Sequence, residues 1–300
     1  LSGATPFKYD AATQPGHSTG LDKVVTYAPM MRELSDADKQ HDAVGILELR
    51  QGREIGAGYE DPIRPMHCAI YAFAHYNPRV VSSGGRPDSL DGVKVIFAGG
   101  SVIDAEQSAF LLRFVQRGGT LVMPVSAGQY RLESPDAVTT HALLSNLGID
   151  FFAAGTQRPD MPFPHDCYQV GNGQVLILRT ALNLAQWETI LPAVMRWTGV
   201  TTRLADTDDR YMQLHVLRRG GTWYLATTHR GSGGMMYTGP KTWTGKVRFL
   251  QQLPTGNYRV TEMMNSTEVG TFTPAQLADG FAAGEYNDLQ MKIFKIEPIK

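Results

Sequence analysis

The segment DGVKVIFAGGSVIDAEQSAFLLRFVQRGGTLVMPV, residues 91–125, holds one complete strand–helix–strand unit. Asp91–Ala98 is a nearly continuous apolar run, the pattern of a strand buried on both faces. Gly99-Gly100-Ser101 ends it. Asp104 opens a helix, with Gln107 three residues on as its capping-box partner. Phe110, Leu111, Phe114 and Val115 fall on one face of that helix. Gly118-Gly119 stops it, because glycine accepts the left-handed cap without steric cost. Thr120–Val125 is the next buried strand.

The same alternation continues on both sides. Ala43–Leu49 is another apolar strand, followed by a charged, Gly-rich loop over Arg50–Asp61. Pro65–His75 reads as a helix with Met66, Ala69, Ile70 and Phe73 inward, and Arg79–Ser82 as a short strand. Thr140–Leu147 is a helix capped by Gly148. Gln169–Gly171 and Gln174–Leu178 flank Gly171-Asn172-Gly173, a hairpin signal. Gln186–Thr198 is helical, with Pro192 expected to kink it. This β-α-β-α-β order with short connections predicts a parallel sheet carrying helices on both faces, ending near Val200.

Two different segments flank it. Residues 1–20 are irregular. Leu21, Val24, Val25, Ala28, Met31 and Leu34 then recur at helical spacing, with Pro29 expected to kink the helix or begin a second one. Ser35–Asp42 reads as a polar linker and a domain boundary. From Tyr211 the periodicity drops to two. Tyr211–Arg218 and Thr222–Thr228 flank Gly220-Gly221, a strong hairpin signal. Lys246–Gln251, Tyr258–Met263 and Leu289–Ile296 are further strands, and Pro274–Ala278 forms one helical turn. The expectation is a small antiparallel β-sandwich.

Bulk properties exclude several classes. The chain has 300 residues, with 28 Lys+Arg against 29 Asp+Glu and a formal net charge of −1. No basic excess is available to neutralise phosphates, which argues against nucleic acid, and no polybasic patch addresses anionic lipid. No apolar run approaches the roughly 20 residues of a membrane span. The dinucleotide fingerprint G-x-G-x-x-G is lacking, and no cofactor is expected. Two cysteines, Cys68 and Cys167, make no disulfide framework; pairing and burial as thiols both remain open. The first residue is Leu1, so the natural start is expected to lie upstream.

The run Leu90–Ala98, the helix from Asp104 to Arg117, and Gly118-Gly119-Thr120-Leu121-Val122-Met123 together resemble the middle, trimerisation domain of family-42 β-galactosidases. That resemblance implies an α/β flavodoxin-like three-layer domain, akin to class I glutamine amidotransferases but without their catalytic machinery, plus a small antiparallel β-sandwich. In the family a (β/α)8 catalytic barrel comes first and the sandwich last. Thr19–Leu34 then resembles the final barrel helix, and Asp288–Ile296 the closing strand. The implied division is a barrel remnant over 1–42, the flavodoxin-like domain over 43–200 and the sandwich over 201–300. The resemblance further implies a homo-oligomer and a partner barrel in the same precursor or in a second chain. Its catalytic acid/base and nucleophile are two barrel glutamates, and no residue here matches either.

The residues also offer local candidates. Open sheets bind ligands beyond the carboxyl ends of their strands, which directs attention to Glu48, Gly99, Gly100, Ser101 and Ser126. A small anion or sugar there would use N–H groups at the Asp104 helix start, but the Asp104 carboxylate competes for them. Ser126 follows a strand as a nucleophile elbow would, with Pro124 where such elbows carry Gly and His141 as the nearby base, giving an amidotransferase-like or serine hydrolase alternative. Glu48, Glu54, Glu60 and Asp61 cluster around one loop and offer paired carboxylates, against the plainer reading of a solvated loop. His67-Cys68 and His165-Asp166-Cys167 hold ligand atom types without metal-site spacing. Trp223, Tyr224, Tyr237 and Trp243 give a free-standing carbohydrate-binding module an aromatic platform. Trp223 and Tyr224 are adjacent on one strand and so face opposite ways, favouring one core and one rim aromatic. Met235-Met236 lies in a Gly-rich loop and fits either a buried contact or plain flexibility.

Overall fold

A computed structural model describes residues 19–49, 63–81, 90–134, 141–229 and 239–299. The chain divides into two units, one formed by residues 41–202 and the other by 1–40 together with 203–300. Of the N-terminal segment, residues 19–40 are described, and they group with the C-terminal β region.

In chain order, α1 (Thr19–Ser35) and β1 (Asp38–Lys39) come first. Pro29 neither breaks α1 nor begins a second helix; it is exposed, where water can serve the carbonyl that loses its N–H partner. The expected linker over Ser35–Asp42 instead contains β1.

The α/β unit follows with β2 (Val44–Glu48), α2 (Ile63–Cys68), β3 (Arg79–Val81), β4 (Val95–Gly99) and β5 (Val102–Ile103). Next come α3 (Ala105–Gln116), β6 (Thr120–Pro124), β7 (Tyr130–Arg131) and α4 (Ala142–Asn146). It closes with β8 (His165–Val170), β9 (Gly173–Leu178) and α5 (Leu184–Trp197), through which Pro192 passes without ending the helix. After α2 the expected helix to His75 becomes a π turn over Ala69–Phe73, in which Ala74 N–H reaches Ala69 O at 2.9 Å, and His75 takes a left-handed φ of 55°.

Among the described residues the six-stranded sheet runs β3-β2-β4-β6-β9-β8, with only β8 antiparallel to its neighbour. The apolar runs alternate faces as strands must. Val44, Ile46, Val95, Phe97, Val122 and Leu176 form one core with Met66, Ile70, Trp187 and Ile190 of the α2–α5 side. Leu47, Ile96, Leu121, Met123, Val175 and Ile177 form the other with Leu111 and Val115 of α3 and Leu143 and Leu144 of α4. Each such burial contributes roughly 1.5–3 kcal/mol, which holds these strands at the sheet's centre. Asp104 caps α3 as expected, its Oδ1 accepting from Gln107 N–H at 2.7 Å.

The second unit adds β10 (Ala205–Thr207), β11 (Met212–Arg219), β12 (Thr222–His229), β13 (Thr242–Phe249), β14 (Tyr258–Glu262) and β15 (Thr267–Phe272). It ends with α6 (Pro274–Asp279), β16 (Phe281–Asn287) and β17 (Met291–Pro298). One sheet runs β1-β11-β12-β17-β14-β15 and another β10-β13-β16. Leu214, Val216, Trp223, Leu225, Val247, Phe249, Phe281 and Phe294 share the core between them. On the outer face of the larger sheet, Leu217, Tyr224, Ala226 and Ile293 are covered by Met30 and Leu34 of α1.

That contact carries a polar clamp. Glu33 accepts from Tyr224 Oη at 2.8 Å and pairs with Lys295 Nζ at 3.0 Å. Burial pushes the Glu33 pKa up, but the bonds from Lys295 and Tyr224 and the charges of Lys295 and Arg219 outweigh it, leaving the carboxyl below its usual 4.5. A depressed carboxyl stabilises the fold above its unfolded pKa and loses that contribution as pH falls through the folded value. Glu33→Gln is thus expected to cost no more than about 1 kcal/mol at neutral pH, since the pair is a third exposed, and to flatten the loss of stability below about pH 4.5. Denaturation midpoints at pH 7 and pH 3 check this; an equal deficit at both would contradict it.

Candidate functional site

The carboxyl ends of the parallel strands bring the candidate residues to one edge. Glu48, half-buried at the end of β2, lies opposite Gly99 in register. Leu49 N–H donates to Gly99 O at 2.7 Å. Gly100, at φ 101°, accepts from Gly128 N–H at 2.9 Å, and Ser101 O accepts from Tyr130 N–H at 2.9 Å. The β5–β7 pairing extends this zipper. The loops after β4 and β6 are therefore stitched to each other through their backbones, which consumes groups an open crevice would present.

The helix start is filled as well. Besides the Asp104 cap, Glu133 Oε1 accepts from Ala105 N–H at 2.9 Å. Two carboxylates stand where an anion would bind, and they exclude it by charge. Of the carboxylates around that loop, Glu54, Glu60 and Asp61 lie outside the described residues.

Ser126 opens instead onto a cavity of about 600 Å³, shared with Gln129, His141, Asp150, Phe151 and Phe152. Glu48, Gly99, Gly100 and Ser101 do not line it. His141 caps α4: its Nδ1 accepts from Leu144 N–H at 3.3 Å, and its Nε2 lies 2.8 Å from Val125 O. An accepting Nδ1 leaves the proton on Nε2, which donates to Val125. Burial, partly offset by that bond, holds the imidazole below its ordinary range and keeps it neutral. Both nitrogens are thus committed to backbone, and no lone pair remains to activate Ser126. This geometry leaves His141 unable to act as the base for Ser126.

The other candidates resolve as structure. His165 Nε2 accepts from Arg158 N–H at 2.8 Å while Nδ1 meets Phe163 O at 2.7 Å. Asp166, buried, accepts from Gly155 N–H at 2.9 Å and pairs with Arg179. Burial pushes the Cys167 thiol up to about 11, so it is a poor nucleophile, and no disulfide joins it to Cys68. Among the described residues no group of three potential ligands could hold a metal ion, and no helix is long and apolar enough to cross a membrane. Trp223 faces the sandwich core and Tyr224 lies under α1, so neither forms a sugar platform and the expected rim position is covered. Trp243 is half-buried, its ring tilted against Tyr286 with centroids 5.6 Å apart. Tyr237 and Met235-Met236 lie outside the described residues.

Sequence reading does not single out Phe151-Phe152. Phe152 is 86% exposed at the lip of the Ser126 cavity. Adjacent aromatics in a short loop after Gly148 are the available signal, and the sequence alone does not say which of them is outward.

No protein-family model matches the sequence, and no curated protein matches it. Solved structures do match in fold. The β-galactosidase of Rahnella sp. R3 superposes with a TM-score of 0.61 at 11% identity, over 94% of this chain and 44% of that one. The β-galactosidase of Bacillus circulans sp. alkalophilus gives 0.58 at 14% identity, over 91% and 43%. α-L-Fucosidase isoenzyme 2 of Paenibacillus thiaminolyticus gives 0.56 at 12% identity, over 95% and 52%. These neighbours are glycoside hydrolases, and the chain spans about half of their length.

Proposed function

We propose that this chain is the non-catalytic C-terminal region of a β-galactosidase-like glycoside hydrolase, packing on a (β/α)8 catalytic barrel and forming homo-oligomer contacts. The α/β unit is then flavodoxin-like, which its strand order supports: counted within the six-stranded sheet it reads 2-1-3-4-6-5, the doubly wound order with one added antiparallel strand. The observation that carries the reading is the matched architecture. More than nine-tenths of this chain, both units included, follows the fold of less than half of two β-galactosidases.

The reaction of the whole protein would be hydrolysis of a glycosidic bond by two carboxylates on the barrel, outside this chain. The barrel is supplied by the same precursor or by a second chain. What these units contribute is broad, rigid surface. Reading the coding sequence on the 5′ side of Leu1 and in the neighbouring frames tests this. A (β/α)8 pattern with two strand-end glutamates is expected, and its absence from both places would overturn the proposal.

The free-standing carbohydrate-binding module is the weaker reading, since both aromatics of its β12 platform are buried. A serine hydrolase using Ser126 is weaker still, because His141 has no free nitrogen.

A further inference from the structure

The cavity beside Ser126 lies at the carboxyl end of β6, the edge at which open α/β sheets take ligands, and its volume of about 600 Å³ falls in the range of small-molecule sites. Its lip is an aromatic ring held out into solvent. Phe152 is 86% exposed, although leaving a Phe side chain in water forgoes roughly 1.5–3 kcal/mol. The ring is braced rather than loose. It stands edge-on to Phe151 at 5.3 Å, and Phe151 is stacked on His141 at 5.9 Å with the Arg179 guanidinium 5.6 Å from its ring. The backbone is pinned too, because Phe152 N–H donates to Asp150 Oδ1 at 2.9 Å.

Ser126, Gln129 and Asp150 are polar residues of its lining, and Asp150 also holds the Phe152 N–H through Oδ1. A rigid aromatic face beside a hydroxyl, an amide and a carboxylate matches a pyranose, which has one C–H face to stack and hydroxyls along its rim.

We infer that this cavity is a saccharide subsite, with Phe152 stacking on the C–H face of a pyranose and Ser126, Gln129 and Asp150 binding its hydroxyls.

Titration of the full chain with methyl β-D-galactopyranoside, followed by NMR, is the test. Its axial O4 leaves the C3, C4 and C5 hydrogens together on one face. Saturable binding in the millimolar range is expected, weakened at least about tenfold in Phe152→Ala, the loss of one aromatic contact of about 1.4 kcal/mol. The exposed side chain makes that change neutral for folding, so an unaltered thermal midpoint is expected alongside. Ser126→Ala is expected to weaken binding several-fold. Failure to saturate by about 100 mM, or an unchanged affinity in Phe152→Ala, would overturn the subsite. Sedimentation velocity covers the rival occupant. If Phe152→Ala alters the mass of the assembly and leaves glycoside binding intact, the face is a protein interface and the inference fails. Neither failure touches the barrel proposal, which rests on the matched architecture and is tested by the coding sequence.

Discussion

Replacing Asp209 with alanine is expected to destabilise the β unit by about 1–3 kcal/mol, the range for leaving a buried polar group without its hydrogen-bond partner. His229 is fully buried at the end of β12, and Asp209 is 4% exposed just before β11. Their contact, Nδ1 to Oδ2 at 2.5 Å, bridges the two strand ends where Met212 and His229 are paired in register. Asp209 Oδ1 also accepts from Tyr211 N–H at 2.9 Å, and His229 Nε2 faces Pro240 O at 2.9 Å. Both ring nitrogens thus sit against oxygen atoms, and the Asp209 carboxylate is the side-chain partner of Nδ1. Removing the carboxylate takes away the group that the buried ring nitrogen and the Tyr211 N–H both contact. Chemical denaturation gives the magnitude. Asp279→Ala, which removes only the exposed partner of Lys246, is the control and is expected to stay within about 0.5 kcal/mol. A control-sized effect at Asp209 would mean that the pair is not buried as described.

Gly173→Ala is expected to cost about 3 kcal/mol, the upper end for overpacking against walls that cannot yield. Gly173 opens β9 after the turn at 171–172. A Cβ there would lie 2.1 Å from Val115 O and 2.2 Å from Gly119 O. Both obstacles are backbone, one in the last turn of α3 and one leading into β6, and Gln174 N–H donates to Gly119 O at 3.2 Å. Accommodation would push the hairpin off the helix and strain the central pairing of β6 with β9. The matched control is Gly221→Ala, where nothing lies within 4 Å, and no measurable loss is expected. A Gly173→Ala protein with the parental denaturation midpoint would contradict the close approach.

Much of this fold is legible in the sequence because local chemistry and tertiary burial agree. The runs at β2, β4, β6 and β9 are apolar throughout since helices cover both faces of the sheet. The Gly220-Gly221 turn sets its hairpin outright, with Arg219 opposite Thr222. β15 is less legible because TEVGTF is largely exposed and carries no core alternation. β16 escapes for another reason. Its register slips between Thr244 and Lys246 of the partner strand, and Gly284 takes φ 70°, so Phe281, Ala283 and Tyr286 face inward out of strict period two.

The site was harder to read than the fold. That Tyr224 is covered depends on α1, about two hundred residues earlier in the chain, and no local pattern announces it. That His141 cannot serve Ser126 depends on two backbone contacts, to Val125 and Leu144, which residue spacing does not encode. Glu48, Gly99, Gly100 and Ser101 do fall at one sheet edge as expected. The backbone stitching between their loops, and the carboxylate of Glu133 at the helix start, are tertiary facts.

The central proposal, that these units support a glycosidase rather than act as one, is tested most directly by assaying the purified chain on p-nitrophenyl β-D-galactopyranoside, alone and with the proposed barrel added from the same precursor or a second chain. The chain alone is expected to give no turnover above buffer, with hydrolysis appearing only when the barrel is present. Turnover by the chain alone at enzymatic rates, on the order of 1 s⁻¹ or faster, would contradict the account.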